Sequence, residues 1–263
     1  MSKDKSTNSE MNMRCIICGM PAQFDICKPC TELMKDLHNR QRVYDRRYAS
    51  YVVDHGRAEF EFVDSYINPG SVVLELGAGN GHLSHHCRTI SKNIITLDFS
   101  EHMIRTSKRS YPELNVCVAD AEKYLPFKDS SFDVIICSEV FEHLFSAYSN
   151  VQEIHRILKN TGIYIIKTPN RNIENIYNFL INRNNYYHKS FHQSTQSMES
   201  LKKLLVVYGF KPQFIRQIEL SDTQVNKIPW KRIRKIIGYT LQFLPRSIQS
   251  SLVCVARKGN IKR

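Results

Sequence analysis

A doubly wound α/β domain, with a mostly parallel sheet covered by helices on both faces, is the fold class this sequence predicts. Three observations carry it. Short apolar runs rich in β-branched residues recur from Ser71 onward, each too short for a helix. Stretches of helical length separate them, as parallel crossovers require. The first run leads into a turn with glycine at every second position, Gly77-Ala78-Gly79-Asn80-Gly81, where the backbone can bend sharply from strand to helix.

Taken in order, strands are expected at residues 72–76, 94–98, 115–118, 132–137 and 162–167. A helix should start at His82-Leu83-Ser84, directly after the glycine turn, and another should run over 197–207. A chain of 263 residues at 42% hydrophobic can bury one large core plus an appendage. Ligands of open α/β sheets bind beyond the carboxyl ends of the strands, and the glycine turn lies at such an end.

That turn reads as a cofactor cradle. Its glycines let a ligand approach the main chain, and the following helix offers unpaired N–H groups. The spacing is G-x-G-x-G, with Glu75 two positions before the first glycine; a dinucleotide fingerprint would read G-x-G-x-x-G. The second strand ends in Asp98, where a carboxylate can accept two charged hydrogen bonds from a ribose hydroxyl pair. Several cofactor classes use such an acid.

Four blocks follow one another with helix-sized gaps: ELGAGNG, LDFSEHM, VADAEKYLPFKDSSFDVIICSEVFEHL and LKNTGIYIIKTPN. In this order they resemble the class I S-adenosylmethionine (SAM)-dependent methyltransferases, over roughly residues 60 to 210. The resemblance implies a seven-stranded, Rossmann-like sheet whose late antiparallel strand would be residues 251–256. It also implies that Gly77, Gly79 and Gly81 line the methionine and ribose part of SAM, with Glu75 and Ala78 in the same motif. Asp98 would hold the ribose hydroxyls and Phe99 would flank the adenine. Asp120 would bond the adenine amine with Ala121 beside it, and Ser138 would sit near the methionine end.

The N-terminus carries a second signal. Cys15 and Cys18, then Cys27 and Cys30, form two C-x-x-C pairs separated by eight residues. Each pair can turn two thiolates toward one point, and two pairs complete a closed tetrahedral zinc site, structural in kind. Disulfide or redox chemistry is the alternative, but residues 1–14 contain no apolar signal-peptide core, and a reducing cytoplasm favours the metal. The other cysteines, Cys87, Cys117, Cys137 and Cys254, read as small buried hydrophobes.

Specificity for a methyl acceptor should be written in residues 138–144, which are expected to start a helix at the cofactor mouth. Methyl transfer is largely a matter of positioning, but a hydroxyl acceptor must also lose a proton, and an imidazole suits that work at neutral pH. His143 is the candidate base. Glu139, Glu142 and His143 also match the E-x-x-E-H pattern of quinone O-methyltransferases, a resemblance that implies a divalent metal near the acceptor. An ordinary helix-turn role for Glu142 and His143 stands beside these readings. Tyr186, His188 and His192, in a loop before the 197–207 helix, are further candidates for acceptor contact. Tyr44, Tyr48, Tyr51 and Phe60 recur near helical spacing and can pack or touch a ligand.

Charge separates the C-terminal end from the rest. The net charge is +12, from 37 Lys and Arg against 25 Asp and Glu. Residues 223–263 hold ten basic side chains and no acid. There Trp230 and several Ile and Leu approximate one helical face among basic residues, a pattern that suits an anionic membrane surface or an ordinary packed helix. No apolar run is long enough to span a bilayer. The expected organisation is a disordered stretch (1–12), a zinc-binding segment (13–35), a helical cap (36–68), the catalytic core (69–220) and a basic amphipathic segment with a final strand (221–263). The expected activity is SAM-dependent methylation of a small-molecule, lipid-linked or sugar acceptor at oxygen, in the cytoplasm or peripherally at the inner membrane surface. RNA methylation is one alternative, and a SAM-binding partner module without chemistry is the other.

Overall fold

The computed structural model describes residues 57–177, 192–216 and 245–259, together with Gln41, Arg42 and Asp45. The four-cysteine segment, Tyr44, Tyr48, Tyr51, Tyr186, His188 and the amphipathic stretch around Trp230 lie outside the described residues.

Seven strands form one sheet. They are β1 (Val73–Leu76), β2 (Ile94–Asp98), β3 (Asn115–Val118), β4 (Phe132–Ser138), β5 (Leu158–Pro169), β6 (Phe210–Ile215) and β7 (Ser251–Lys258). The helices are α1 (Arg57–Asp64), α2 (His82–Cys87), α3 (Glu101–Ser110), α4 (Ala147–Ile157), α5 (Arg171–Tyr177) and α6 (Met198–Val207). The strand order is β3-β2-β1-β4-β5-β7-β6. The first five strands run parallel, and β7 inserts antiparallel between β5 and β6. The order reverses between β1 and β4, and ligands of such sheets bind at that switch point.

Burial follows from strand alternation. All four residues of β1 are buried, because both its faces are covered. On one face Val73, Ile94, Val134, Ile136 and Ile165 pack with Val63 of α1 and with Leu83 and Cys87 of α2. On the other, Leu74, Leu76, Leu97, Ile135 and Ile166 pack with Val151 and Ile154 of α4 and with Leu201 and Leu205 of α6. Helix starts are set locally. Ser100 caps α3, Ser146 caps α4, and Ser197 with Ser200 forms a reciprocal capping box on α6, each hydroxyl accepting an otherwise unpaired amide.

The expected strands all appear, including the final antiparallel one. Three features differ from expectation. Residues 210–215 form an additional strand, which Pro212 obscures in the sequence. As the sheet's edge, β6 pairs with β7 alone, so proline's missing N–H is tolerated there. Strand β5 starts at Leu158, earlier than residue 162, after an irregularity in its register with β4. Finally, no α-helix starts at residue 138: a 3₁₀ turn covers Phe141–His143 and α4 begins only at Ala147. Among the cysteines, Cys87, Cys137 and Cys254 are buried and Cys117 is half-buried. Burial pushes the Cys137 and Cys254 thiols up to about 12, which suits packing and not reactivity.

One buried polar chain ties α4 to the sheet. Tyr164, fully buried, donates to Asn150 Oδ1 at 2.9 Å, and Asn150 Nδ2 donates to the Ala121 carbonyl at 2.9 Å. Tyr164→Phe leaves Asn150 Oδ1 without its donor, a loss of about 1–3 kcal/mol, read as a lower urea midpoint with unchanged slope. A second contact gives stability a pH dependence. His155 Nε2 meets the Gly259 carbonyl at 3.1 Å, and burial holds the imidazole below its usual pKa. A depressed histidine stabilises above its unfolded pKa, and that contribution is lost as pH falls through the lower folded value. The fall in stability below about pH 6.5 should therefore be shallower in His155→Gln when unfolding is measured across pH 5–7.5.

Candidate functional site

The site is built on the carboxyl ends of β1, β2 and β4. Gly77, Gly79 and Gly81 all have positive φ, at 66°, 52° and 78°, conformations that L side chains rarely adopt. At Gly77 an added Cβ would lie 2.2 Å from Val140 Cγ2, so the turn after β1 and the turn after β4 meet with no space for a side chain. Gly81 caps α2, whose short helix then carries Leu83, Ser84 and Cys87 into the core. Buried Glu75 accepts a hydrogen bond from the Ser84 hydroxyl, which locks strand β1 to helix α2.

Asp98 ends β2 beside the glycine turn. Its Oδ2 accepts the Gly79 N–H at 2.8 Å and its Oδ1 accepts the Ser100 N–H at 2.7 Å. Burial lifts the carboxyl above its ordinary value while these two bonds oppose the lift. Gln41 Nε2 donates to the Phe99 carbonyl at 3.0 Å, and the Ser100 hydroxyl donates to Asp45. Part of the expected helical cap thus reaches the end of β2. Beyond β3, Asp120 and Ala121 are nearly buried, and Asp120 Oδ1 turns back to the Glu122 N–H at 3.0 Å. All the sequence-assigned cofactor residues, from Glu75 to Ser138, lie at or beyond the carboxyl ends of β1 to β4.

The turn after β4 is strained and polar. Ser138 donates to Glu59 Oε1 at 2.5 Å, and Lys167 Nζ reaches Glu59 Oε2 at 2.5 Å. Glu139 adopts φ 55° and its carboxylate lies 3.7 Å from Lys167 Nζ. A left-handed non-glycine residue costs of order 1–2 kcal/mol, and such strain concentrates at functional turns. Desolvation lifts the Glu139 carboxyl to about 7 against the pull of Lys167. A cavity of about 70 Å³, lined by Glu59, Phe62, Ser138, Lys167, Arg216 and Val253 among others, lies between α1 and the sheet here.

His143 and Glu142 sit on the 3₁₀ turn. Glu142 is 1% exposed; its Oε2 accepts the Thr168 hydroxyl at 2.9 Å, and its Oε1 lies 3.9 Å from His143 Nε2. His192 packs edge-on to His143, with ring centroids 5.0 Å apart. Its Nδ1 lies 2.9 Å from Glu174 Oε1. Burial pulls the His192 pKa down, but the Glu174 bond and the charges of Glu142, Glu174 and Glu139 outweigh it and hold it raised. The residues expected around a metal therefore divide: Glu142 and His143 face His192, while Glu139 faces Lys167. Glu59 and Glu174 escaped the sequence reading. They stand 79 and 18 residues from Ser138 and His192, and no spacing rule links such partners.

Comparison with known proteins agrees with this geometry. Residues 74–166 match the model of a methyltransferase domain. A probable S-adenosylmethionine-dependent methyltransferase of Mycobacterium tuberculosis is 32% identical over 99 residues, covering 38% of this chain and 36% of that protein. A demethylmenaquinone methyltransferase of Beutenbergia cavernae is 30% identical over 149 residues, covering 52% of this chain and 61% of the relative. The chain thus spans little more than a third of the first relative and under two thirds of the second. The YcgJ protein of Bacillus subtilis superposes with a TM-score of 0.60 at 18% identity, over 78% of this chain and 100% of that one; at this identity the likeness speaks for fold alone. Residues 74–166 thus resemble a methyltransferase domain, and they lie in a sheet with the Rossmann-like fold of solved methyltransferase structures.

Proposed function

We propose that this chain is a SAM-dependent methyltransferase acting at oxygen on a small-molecule, lipid-linked or sugar acceptor. The observation that carries the cofactor half is the Asp98 carboxylate, fixed by two backbone N–H bonds at the lip of a glycine turn that excludes side chains. The residues present fit the cofactor: glycines where its methionine would pass the main chain, an acid for ribose hydroxyls, and Asp120 and Phe99 for adenine. When bound, SAM supplies an electrophilic sulfonium methyl. The chain's own work is to hold that group, exclude water and take the acceptor's proton; His143, beside the buried Glu142 carboxylate, is our candidate for that base.

The name of the Beutenbergia cavernae relative supports a quinone-like acceptor for that relative, and the E-x-x-E-H turn supports the same chemical class here. The two C-x-x-C pairs support a structural zinc site at Cys15, Cys18, Cys27 and Cys30, and the basic C-terminal stretch supports contact with an anionic surface. No helix among the described residues is long and apolar enough to cross a membrane. Calorimetry of the full chain with SAM and its demethylated product tests the reading. One site per chain is expected for both ligands, followed by transfer of radiolabelled methyl to a hydroxyl-bearing acceptor from a panel of phenols, quinols and sugars. Absence of binding to either ligand would sink it.

A further inference from the structure

At the edge of the sheet, α6, β6 and the 3₁₀ turn Arg246–Ile248 border an open groove of about 560 Å³, within the size range of small-ligand sites. The helix contributes Lys202, the end of the strand Arg216 and the turn Arg246. No acid lines the groove among the described residues, and none of the three cations is ion-paired with one of them. Glu199, nearby on α6, is engaged instead by Lys203 at 2.8 Å. Met198 and Lys202 stand one helical turn apart and share a face, whereas Glu199 and Lys203 occupy the next. Pro212, Phe214 and Arg216 alternate along and just past β6 and so share a face. Met198, Pro212 and Phe214 form a half-buried apolar floor.

The three cations are mounted on fixed elements. Leu201 and Leu205 anchor α6 in the core, and Phe214 packs the end of β6 against the same core. Fully buried Asn170 donates to the Ser247 and Gln249 carbonyls, both at 2.9 Å, and so ties the turn that carries Arg246 to the end of β5. Groups held on such supports lose less freedom on binding. Unpaired positive charges around a recess suit a phosphate, which guanidinium groups bond through a planar fork. An apolar floor beside them suits a ligand with a hydrocarbon part. A nucleic acid asks instead for a row of cations along an extended track with aromatic platforms, and this floor offers one phenylalanine.

We propose that Lys202, Arg216 and Arg246 bind the phosphate of a single amphiphile whose hydrocarbon part lies on Met198, Pro212 and Phe214. Arg216 also lines the cavity of about 70 Å³ that holds Ser138 and Lys167, so the two hollows share a wall. A ligand anchored in the groove can therefore extend past Arg216 toward the turn after β4. The phosphate site stands on these residues alone; its use as the anchor of a lipid-linked acceptor rests on the methyltransferase reading.

The test uses the full chain with isotope-labelled methionine methyl groups, in about 0.15 M salt to screen long-range attraction. The probe is dihexanoyl phosphatidic acid below its micelle concentration. One molecule per chain is expected by calorimetry, and the Met198 methyl signal, identified through Met198→Leu, should shift over the same concentrations. Inorganic phosphate should bind at least about tenfold more weakly, for want of the hydrocarbon contact. Arg216→Gln and Arg246→Gln should each weaken the amphiphile about tenfold. Lys203→Gln, which removes the same charge one residue outside the groove, should leave affinity within about twofold. Near-ultraviolet circular dichroism checks that the variants keep the native fold. A stationary Met198 signal, or affinity indifferent to both arginine substitutions, overturns the site. So does a Met198 response confined to phosphatidylglycerol vesicles or to RNA, which would make the groove a membrane or nucleic-acid contact. SAM calorimetry on the same samples keeps the two readings apart. SAM bound without the amphiphile removes the groove alone, and the amphiphile bound without SAM removes the methyltransferase reading alone.

Discussion

Asp98→Ala should weaken SAM binding by about 10²–10⁴-fold, beyond the range of ordinary calorimetry. The carboxylate does two jobs at one point. It accepts the Gly79 and Ser100 amides at 2.8 and 2.7 Å, and so sets the spacing between the glycine turn and the start of α3. In the proposed complex it also receives two ribose hydroxyls. Hydrogen bonds to a charged group contribute about 1.5–3 kcal/mol each, so losing the hydroxyl pair alone costs about 3–6 kcal/mol. Asp98→Asn separates the two jobs only in part, because an amide offers N–H toward at least one backbone N–H where an acceptor is needed. It should bind SAM as weakly as Asp98→Ala while unfolding at a midpoint closer to wild type. SAM affinity within tenfold of wild type in both variants would remove the ribose assignment.

Gly77→Ala should destabilise the chain by about 2–5 kcal/mol and abolish cofactor binding with it. The new Cβ meets Val140 Cγ2 at 2.2 Å, Cγ1 at 3.0 Å and Cβ at 3.1 Å. Overpacking a close contact costs about 1–3 kcal/mol, and φ 66° adds roughly 1–2 kcal/mol for a residue with a Cβ. Val140 cannot simply swing aside, since it is flanked by left-handed Glu139 and by Phe141, which is fully buried. Combining Gly77→Ala with Val140→Ala removes both γ-carbons and should recover about half the loss, the remainder being backbone strain. Urea unfolding of the two single variants and the double variant gives the coupling directly. Additive losses would show that the two turns do not press on one another.

These two residues also show what was legible in sequence. Gly77 and Asp98 announce themselves because the geometry they serve is local: a strand end, a turn and a helix start within a few residues. The parallel sheet was readable for the same reason, since strands buried on both faces are apolar throughout, as in β1. The antiparallel β7 was legible as an apolar run, whereas β6 was not. An edge strand that pairs on one side alone can carry Lys211 and Pro212, and so loses the pattern by which a strand is recognised.

The sequence by itself determined the fold class, the glycine turn after β1 and the order of its motifs, because each is written in contiguous residues whose period and spacing reflect backbone geometry. Tertiary structure alone decided the partners on the acceptor side. It set Glu59 between Ser138 and Lys167, turned Glu139 into the left-handed region with its carboxylate 3.7 Å from Lys167, and brought His192 and Glu174 to His143. Those groups come from α1, the turn after β4, α5 and the segment before α6. Their approach depends on how helices pack across the sheet, and no periodicity along the chain encodes it.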